Sequence, residues 1–230
     1  MEVIFVHGAL VRDGGWWWQP TAELLQRTTG ILSRSLLLPS CGETGERGGL
    51  VEDAAALRRE LDGVEDAIVV GHSYGGTVIA EAGGHPAIRH LLYISSYLPD
   101  AGMAQAAIMS GESDPASIAD NGDGTLSLSG YDAESFGRRF MQDADEPTRR
   151  QAWDRVTAQS AAAFVTPTST AGWQGVDSTY LVCAEDRSTS LELQRFHAAR
   201  ATRSVDVPAG HHPFISRPDL VVEQLVQFAR

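Results

Sequence analysis

A serine within Gly71-His72-Ser73-Tyr74-Gly75 has the spacing of a nucleophile elbow. In such a turn a buried strand passes sharply into a helix, and the hydroxyl at the apex stands clear of the sheet. Glycines on either side let the strand and the helix approach closely. The backbone N–H of Tyr74 opens the helix, so it can face an oxyanion that forms beside Ser73. These residues predict nucleophilic attack by Ser73 on a carbonyl carbon.

The sequence on both sides of the serine has the composition that this turn requires. Residues 68–70 are β-branched, as in a strand that is buried on both faces. Residues 77–82 then have the pattern of a helix, which Gly83 and Gly84 end. An ordinary glycine-rich turn is the alternative. The order strand, turn, helix favours the nucleophile.

A serine hydroxyl needs a base, and histidine is the usual base near neutral pH. Of seven histidines, only His211 and His212 follow the last expected strand. His72 adjoins the serine but should point away from it, as a structural residue. His7 ends the first strand and should brace the turn that follows. Adjacent histidines can bind a metal, but no further ligand cluster supports one, and we predict no metal.

The base in turn needs a carboxylate, which fixes its tautomer and stabilises the imidazolium. Glu185 and Asp186 both follow the expected strand at residues 179–184, whereas Asp177 precedes it and should lie in a solvated turn. Adjacent residues leave a strand in opposite directions, so only one of the two can face the histidine. The residues alone leave this choice open.

Strands and helices alternate along most of the chain, which predicts an α/β fold with a mostly parallel sheet and right-handed crossovers. Hydrophobic periodicity and turn signals place the boundaries. The expected strands are residues 3–6, 30–38, 67–70, 88–95, 179–184 and 205–207, and the expected helices are residues 16–26, 51–61, 77–82, 191–201 and 219–229.

Residues 97–177 interrupt this alternation, without a convincing buried strand but with helices expected at 136–142 and 147–159. An insertion of about 80 residues is too long for a loop. We interpret it as a cap over a core formed by residues 1–96 and 178–230. The alternative is a second domain, which the shortage of large aliphatic residues disfavours. Its aromatic residues Trp153 and Phe164 either pack in the core or line a substrate pocket.

Composition excludes several classes of function. The 230 residues have a formal net charge of −12, which disfavours phosphate backbones and anionic membrane surfaces. No apolar stretch is long enough to span a bilayer, and no signal peptide is evident at the first strand. Cys41 and Cys183 form no Cys-x-x-Cys pair, which fits a reducing cytoplasm. We expect a cytoplasmic protein without nucleic-acid or membrane partners, and a homodimer is one alternative for its assembly.

The chain resembles the α/β-hydrolase superfamily over nearly its full length. More narrowly, it is similar to the small cofactor-free branch of plant hydroxynitrile lyases, plant methylesterases and bacterial carboxylesterases. This resemblance implies an α/β-hydrolase fold with a mostly parallel six-stranded sheet, helices on both faces and a helical cap, no cofactor, and a small-molecule ester substrate. It rests on His7-Gly8-Ala9, Gly71-His72-Ser73-Tyr74-Gly75-Gly76, Leu98-Pro99-Asp100, Glu185-Asp186-Arg187 and Gly210-His211.

The resemblance also assigns the catalytic acid and base. The family acid lies eight residues before a glutamine, which is Asp186 before Gln194. The family base lies five residues before a serine or threonine, which is His211 before Ser216. The implied triad is therefore Ser73, His211 and Asp186.

The family's oxyanion donors correspond to the backbone N–H groups of Ala9 and Tyr74. Two departures bear on the reaction, because related hydroxynitrile lyases have a lysine in place of His212 and a threonine in place of Gly8. Both departures favour a serine hydrolase that cleaves a small carboxylic ester through an acyl-enzyme. The alternatives are a cofactor-free lyase or C–C hydrolase, a lactonase, and a catalytically slow small-ligand receptor.

Overall fold

The computed structural model describes residues 1–45 and 48–228. Residues 229 and 230, which end the expected last helix and the expected core range, lie outside this part. The strands are β1 (Glu2–Val6), β2 (Ser33–Ser35), β3 (Ala67–His72), β4 (Ile88–Ile94), β5 (Ile118–Asp120), β6 (Thr125–Leu128), β7 (Gln159–Ser160), β8 (Ser178–Cys183) and β9 (Arg203–Val207). The helices are α1 (Gly14–Thr29), α2 (Leu50–Asp62), α3 (Gly75–Ala82), α4 (Gln105–Met109), α5 (Ala133–Phe140), α6 (Glu146–Trp153), α7 (Ala162–Val165), α8 (Leu191–Ala198), α9 (Pro213–Ser216) and α10 (Pro218–Phe228), with a short 3₁₀ helix at Pro39–Cys41.

Six strands form one parallel sheet in the order β2-β1-β3-β4-β8-β9. Successive residues of a strand point to opposite faces, so Ile4 and Phe5 of β1 belong to different apolar clusters. Helices α2, α3 and α8 cover one face, and α1 and α10 cover the other. The α/β-hydrolase fold with its six-stranded sheet is confirmed.

Two elements near the start of the chain differ from the prediction. The expected strand at 30–38 is only the three residues of β2, an edge strand that pairs with β1 alone. Helix α1 begins at Gly14, because the side chain of Asp13 caps the N–H of Trp16. Pro20 therefore lies in the second turn and not in the first. Its missing N–H cannot bond the carbonyl of Trp16, a residue that is partly exposed.

Residues 97–177 contain a feature that we did not predict. The strands β5, β6 and β7 form a second, antiparallel sheet, whose residues are mostly half-buried or exposed. The helix expected at 147–159 is α6, which ends at Trp153. Gln159, where we expected the helix to end, lies in β7. The helix expected at 136–142 is α5, which begins earlier because Asp132 caps it. Short polar strands lack the apolar alternation on which such a prediction depends.

Buried side chains of this insertion join the two clusters that cover the main sheet. Phe164 of α7 belongs to the cluster that contains α2 and α3, and Phe136 and Phe140 of α5 belong to the other. In the part of the chain that the structure describes, no helix is both long enough and apolar enough to cross a membrane.

Candidate active site

Ser73 lies at the turn from β3 to α3, at the carboxyl edge of the sheet, with a φ of 49°. This left-handed conformation costs a residue other than glycine about 1–3 kcal/mol. A Cβ atom at Gly75 would run into the carbonyl oxygen of Val6, and one at Gly76 into that of Tyr97. Glycine at both positions therefore lets the start of α3 pack directly on the end of β1 and on the segment that follows β4. The expected strand–turn–helix geometry is therefore present around Ser73.

His211 and Asp186 form a buried pair. The Nδ1 atom of His211 lies 2.7 Å from Oδ2 of Asp186, and the two side chains are 5% and 0% exposed. Asp186 also accepts hydrogen bonds from the hydroxyl of Ser95 and from the backbone N–H groups of Ser188 and Thr189. Burial alone would raise the pKa of Asp186, but the charge and hydrogen bond of His211 and the other donors lower it. The carboxylate is thus ionised and fixed.

The choice between Glu185 and Asp186 is visible in their positions. Glu185 is exposed at the surface, whereas Asp186 faces His211. The contacts of Gln194 explain why a glutamine eight residues after the acid indicates which of the two carboxylates faces the histidine. Its buried amide bonds the backbone N–H and C=O of Cys183 and the C=O of Thr189, so it holds both ends of the loop that carries Asp186.

Two further imidazoles surround His211. His212 bonds the carbonyl oxygen of Phe140 and stacks on Trp17, and burial lowers the pKa of His212 to about 3. His72 bonds the carbonyl oxygen of His211 itself, and burial holds the pKa of His72 well below its ordinary value. His72 therefore supports the backbone of His211, which is the kind of structural contact that we expected of it.

The turn after β1 lies beside the serine and is held by buried polar contacts. As expected, His7 braces it: one ring nitrogen contacts the carbonyl oxygen of Gly8 and the other the carboxylate of Glu43, at 2.9 and 2.8 Å. Burial works against ionisation of Glu43, yet its hydrogen bond to His7 and neighbouring N–H donors lower its pKa. Among the described residues, no hydrogen bond from the backbone N–H of Ala9 or Tyr74 is found.

A cavity of about 80 Å³ brings these residues together. Ala9, Ser73 and His211 lie in its wall. So does Tyr97, whose pKa burial raises to about 12. The rest of the wall is mainly apolar: Gly8, Leu10, Val11, Met109, Pro115, Ala116, Ile118, Leu128, Phe136, Phe140 and Phe164, with His72, Gln105, Glu112, Ser188 and His212 as polar members.

Of the two aromatic residues singled out in the insertion, Phe164 lines this cavity, while Trp153 packs on Phe136 behind the wall. Sequence reasoning missed Tyr97, which lies three residues after the end of β4. It also missed Phe136 and Phe140 as cavity residues, although their spacing of four residues places them on one face of α5.

One cluster of possible metal ligands occurs among the described residues. Nitrogen atoms of His72, His211 and His212 lie within 4.8 Å of one another. One nitrogen of each ring already bonds a carbonyl or carboxylate oxygen. An ion would therefore have to bind the remaining nitrogen, which in His211 is the atom that a base must keep open.

A serine turn between a parallel strand and a helix, at the carboxyl edge of a six-stranded sheet, defines the α/β-hydrolase class. The chain belongs to the alpha/beta hydrolase family, whose model matches residues 3–224. It is 25% identical to the alpha/beta hydrolase nvfD of Aspergillus novofumigatus, over 97% of this chain and 94% of that protein. It is 31% identical to a carbendazim hydrolyzing esterase of Nocardioides sp., over 46% of each chain.

The fold has close counterparts among solved structures. A pyrethroid hydrolase from Sphingobium faniae JZ-2 superimposes with a TM-score of 0.80 at 21% identity, over 100% of this chain and 97% of that one. The family match and the hydrolase relatives together show an enzyme of the hydrolase type.

Proposed function

We propose that the protein hydrolyses small carboxylic esters through a covalent acyl-enzyme on Ser73. The observation that carries this proposal is the buried His211–Asp186 pair, 2.7 Å apart, at the same cavity as a strained and solvent-accessible serine. The esterase and hydrolase names of the relatives point to the same reaction. The buried, unpaired cysteines Cys41 and Cys183 fit action in the cytoplasm.

In the first half-reaction His211 takes the proton of Ser73, whose oxygen attacks the ester carbon. Asp186 holds the Nδ1–H tautomer, which leaves Nε2 free to accept that proton, and it stabilises the imidazolium that results. The carbonyl oxygen becomes an oxyanion, which the N–H groups of Ala9 and Tyr74 bind. His211 then donates the proton to the leaving alcohol.

In the second half-reaction water replaces the alcohol. His211 accepts a proton from this water as the water attacks the acyl carbon. The oxyanion of the second tetrahedral intermediate is bound by the same two N–H groups. The tetrahedral intermediate collapses, Ser73 recovers its proton from His211, and the carboxylic acid leaves. No step requires a cofactor.

The cavity indicates the class of ester. Its walls are apolar and aromatic, and its volume of about 80 Å³ suits a short acyl or alcohol group. The acidic residue Glu112 belongs to the wall, so a negatively charged substrate would be repelled. We propose small neutral esters, including cyclic ones. A cyanohydrin lyase is disfavoured because His212 is neutral and cannot stabilise cyanide as a cation would.

The test is turnover of neutral p-nitrophenyl esters and of matched lactones and cyanohydrins by the wild type and by Ser73→Ala. We expect ester turnover that falls by about four to six orders of magnitude in the variant. Wild-type protein that binds esters without turning them over would instead indicate a receptor. Cyanohydrin cleavage without ester turnover would indicate a lyase.

A further inference from the structure

A continuous chain of buried hydrogen bonds runs beneath the turn that carries Ala9. The N–H of Leu10 donates to Oε1 of Gln159, and Nε2 of Gln159 donates to the hydroxyl of Ser40, both at 2.8 Å. That hydroxyl donates to Oδ2 of Asp53 at 2.6 Å, and the hydroxyl of Tyr74 donates to the same oxygen at 2.7 Å. All five residues are 5% exposed or less.

The direction of every bond in this chain is determined. A backbone N–H can only donate, so Gln159 must present its oxygen to Leu10 and its amino group to Ser40. Ser40 then donates its own proton to Asp53, because an ionised carboxylate can only accept. Asp53 ends the chain as an acceptor of both hydroxyls and of the N–H of Ser40. A network with a single arrangement of donors holds its members in one geometry.

The two ends of this network lie on Leu10, which is next to Ala9, and on the side chain of Tyr74. Leu10 follows Ala9 directly and has a φ of 61°, which is a left-handed conformation that leucine rarely adopts. Tyr74 carries the other N–H, and its hydroxyl is the second end. We propose that Gln159, Ser40 and Asp53 are positioning residues that set the spacing of the two oxyanion donors. This inference rests on the proposed function.

Gln159 lies in the insertion, so the insertion takes part in this positioning. The backbone of the insertion also pairs with the turn: the N–H of Thr157 donates to the carbonyl of Leu10, and the N–H of Arg12 donates to that of Arg155. Residues 10–12 and 155–159 thus form a clamp. Gln159 itself is not among the residues that line the cavity, so its side chain acts through the placement of the Ala9 N–H.

The test is Gln159→Met, which keeps the volume of the side chain but removes both hydrogen bonds. A displaced oxyanion donor stabilises the transition state less and leaves the binding of the ground state unchanged. We therefore expect kcat for a p-nitrophenyl ester to fall about 10–100-fold at a nearly constant KM. The affinity for a trifluoromethyl ketone, which forms an oxyanion on Ser73, should fall by a similar factor. Gln224→Met alters another buried glutamine, on α10, and should change neither value.

Tyr74→Phe provides a second variant, which removes one hydroxyl at the other end and keeps the backbone N–H. We expect a smaller fall in kcat, about 3–10-fold, and a loss in the double variant that is less than the product of the two. If Gln159→Met does not fold, Tyr74→Phe decides alone. Unchanged kcat and ketone affinity would overturn the positioning role. Full turnover by Ser73→Ala would overturn the proposed function instead, whatever Gln159 does.

Discussion

Four hydrogen-bond donors converge on the carboxylate of Asp186. Two oxygens in a fully buried site accept from His211, Ser95, Ser188 and the backbone of Thr189. Burial alone would raise the pKa of Asp186, but the charge of His211 and these donors lower it below its ordinary value. The carboxylate therefore keeps its charge. At the scale of single residues, this pair is the feature on which the proposed reaction depends most.

Asp186→Asn tests the pair directly. The amide can donate a hydrogen bond to Nδ1 of His211 and so stabilise the tautomer in which Nε2 carries the proton and cannot accept one. We expect ester turnover to fall by about four orders of magnitude while the fold persists. Glu185→Gln is the matched control, because that side chain is exposed and should leave turnover within about twofold. Equal losses in both variants would contradict the assignment.

Residue types and spacing alone predicted much of this site. Ser73 and the two histidine candidates followed from strand order and turn composition, whereas the physics of adjacent residues could not decide between Glu185 and Asp186. That choice depends on how the loop at residues 184–189 folds back, which Gln194 determines through long-range contacts. The contact between His72 and His211 spans 139 residues and left no local signal.

At the scale of elements, the start of α3 lies so close to the end of β1 and to the segment after β4 that its first two residues must be glycine. A Cβ at Gly76 would collide with the carbonyl of Tyr97, which cannot move aside as a side chain could. Gly76→Ala should therefore reduce the free energy of unfolding by about 1–3 kcal/mol or more, measured by urea denaturation. Gly84→Ala is the control, since nothing lies within 4 Å of its Cβ position, and we expect less than about 0.5 kcal/mol there.

Helix α7 brings one aromatic ring to the cavity. Phe164 is 2% exposed and lines the cavity, while its neighbour Val165 is 61% exposed. Phe164→Leu should enlarge the cavity, and the preference in kcat/KM for hexanoate over acetate p-nitrophenyl esters should rise by about tenfold. Val165→Ala should leave this preference unchanged. A preference that Val165 alters and Phe164 does not would show that the insertion acts from elsewhere.

The elements of the main sheet could be predicted better than those of the insertion, for a physical reason. Strands β3, β4 and β8 are buried on both faces and are nearly continuous apolar runs, whereas β5, β6 and β7 are short and half-exposed. The role of Gln159 was likewise hidden, because the residue lies at the end of a segment that we expected to be helical.

At the scale of the whole molecule, buried neutral histidines link stability to pH. Burial lowers the pKa of His197 to about 4 and that of His212 to about 3, below the ordinary value of about 6.5. The unfolded chain therefore binds protons first as the pH falls. These histidines should leave the free energy of unfolding at its full value above about pH 6.5 and should decrease it steadily as the pH falls towards 4. The free energy of urea unfolding at pH 7 and pH 5 measures this decrease.

His197→Asn identifies one source of this dependence. The Nδ1 atom of His197 accepts the N–H of Leu98 at 3.1 Å, so protonation would break that bond. The amide oxygen of asparagine can accept the same bond and does not titrate. The slope of stability against pH between 7 and 5 should be smaller in the variant. Identical slopes would show that His197 does not contribute.

The central claim is that Ser73 is the nucleophile and His211 its base. A fluorophosphonate reacts with an activated serine and forms a stable adduct that peptide mass spectrometry can locate. We expect one label per chain, on Ser73, and strongly reduced labelling in His211→Ala. The control is His90→Ala, near the amino end of β4 and away from the carboxyl edge of the sheet, which should be labelled at the wild-type rate. A label on another residue, or wild-type labelling of Ser73 without His211, would contradict the account.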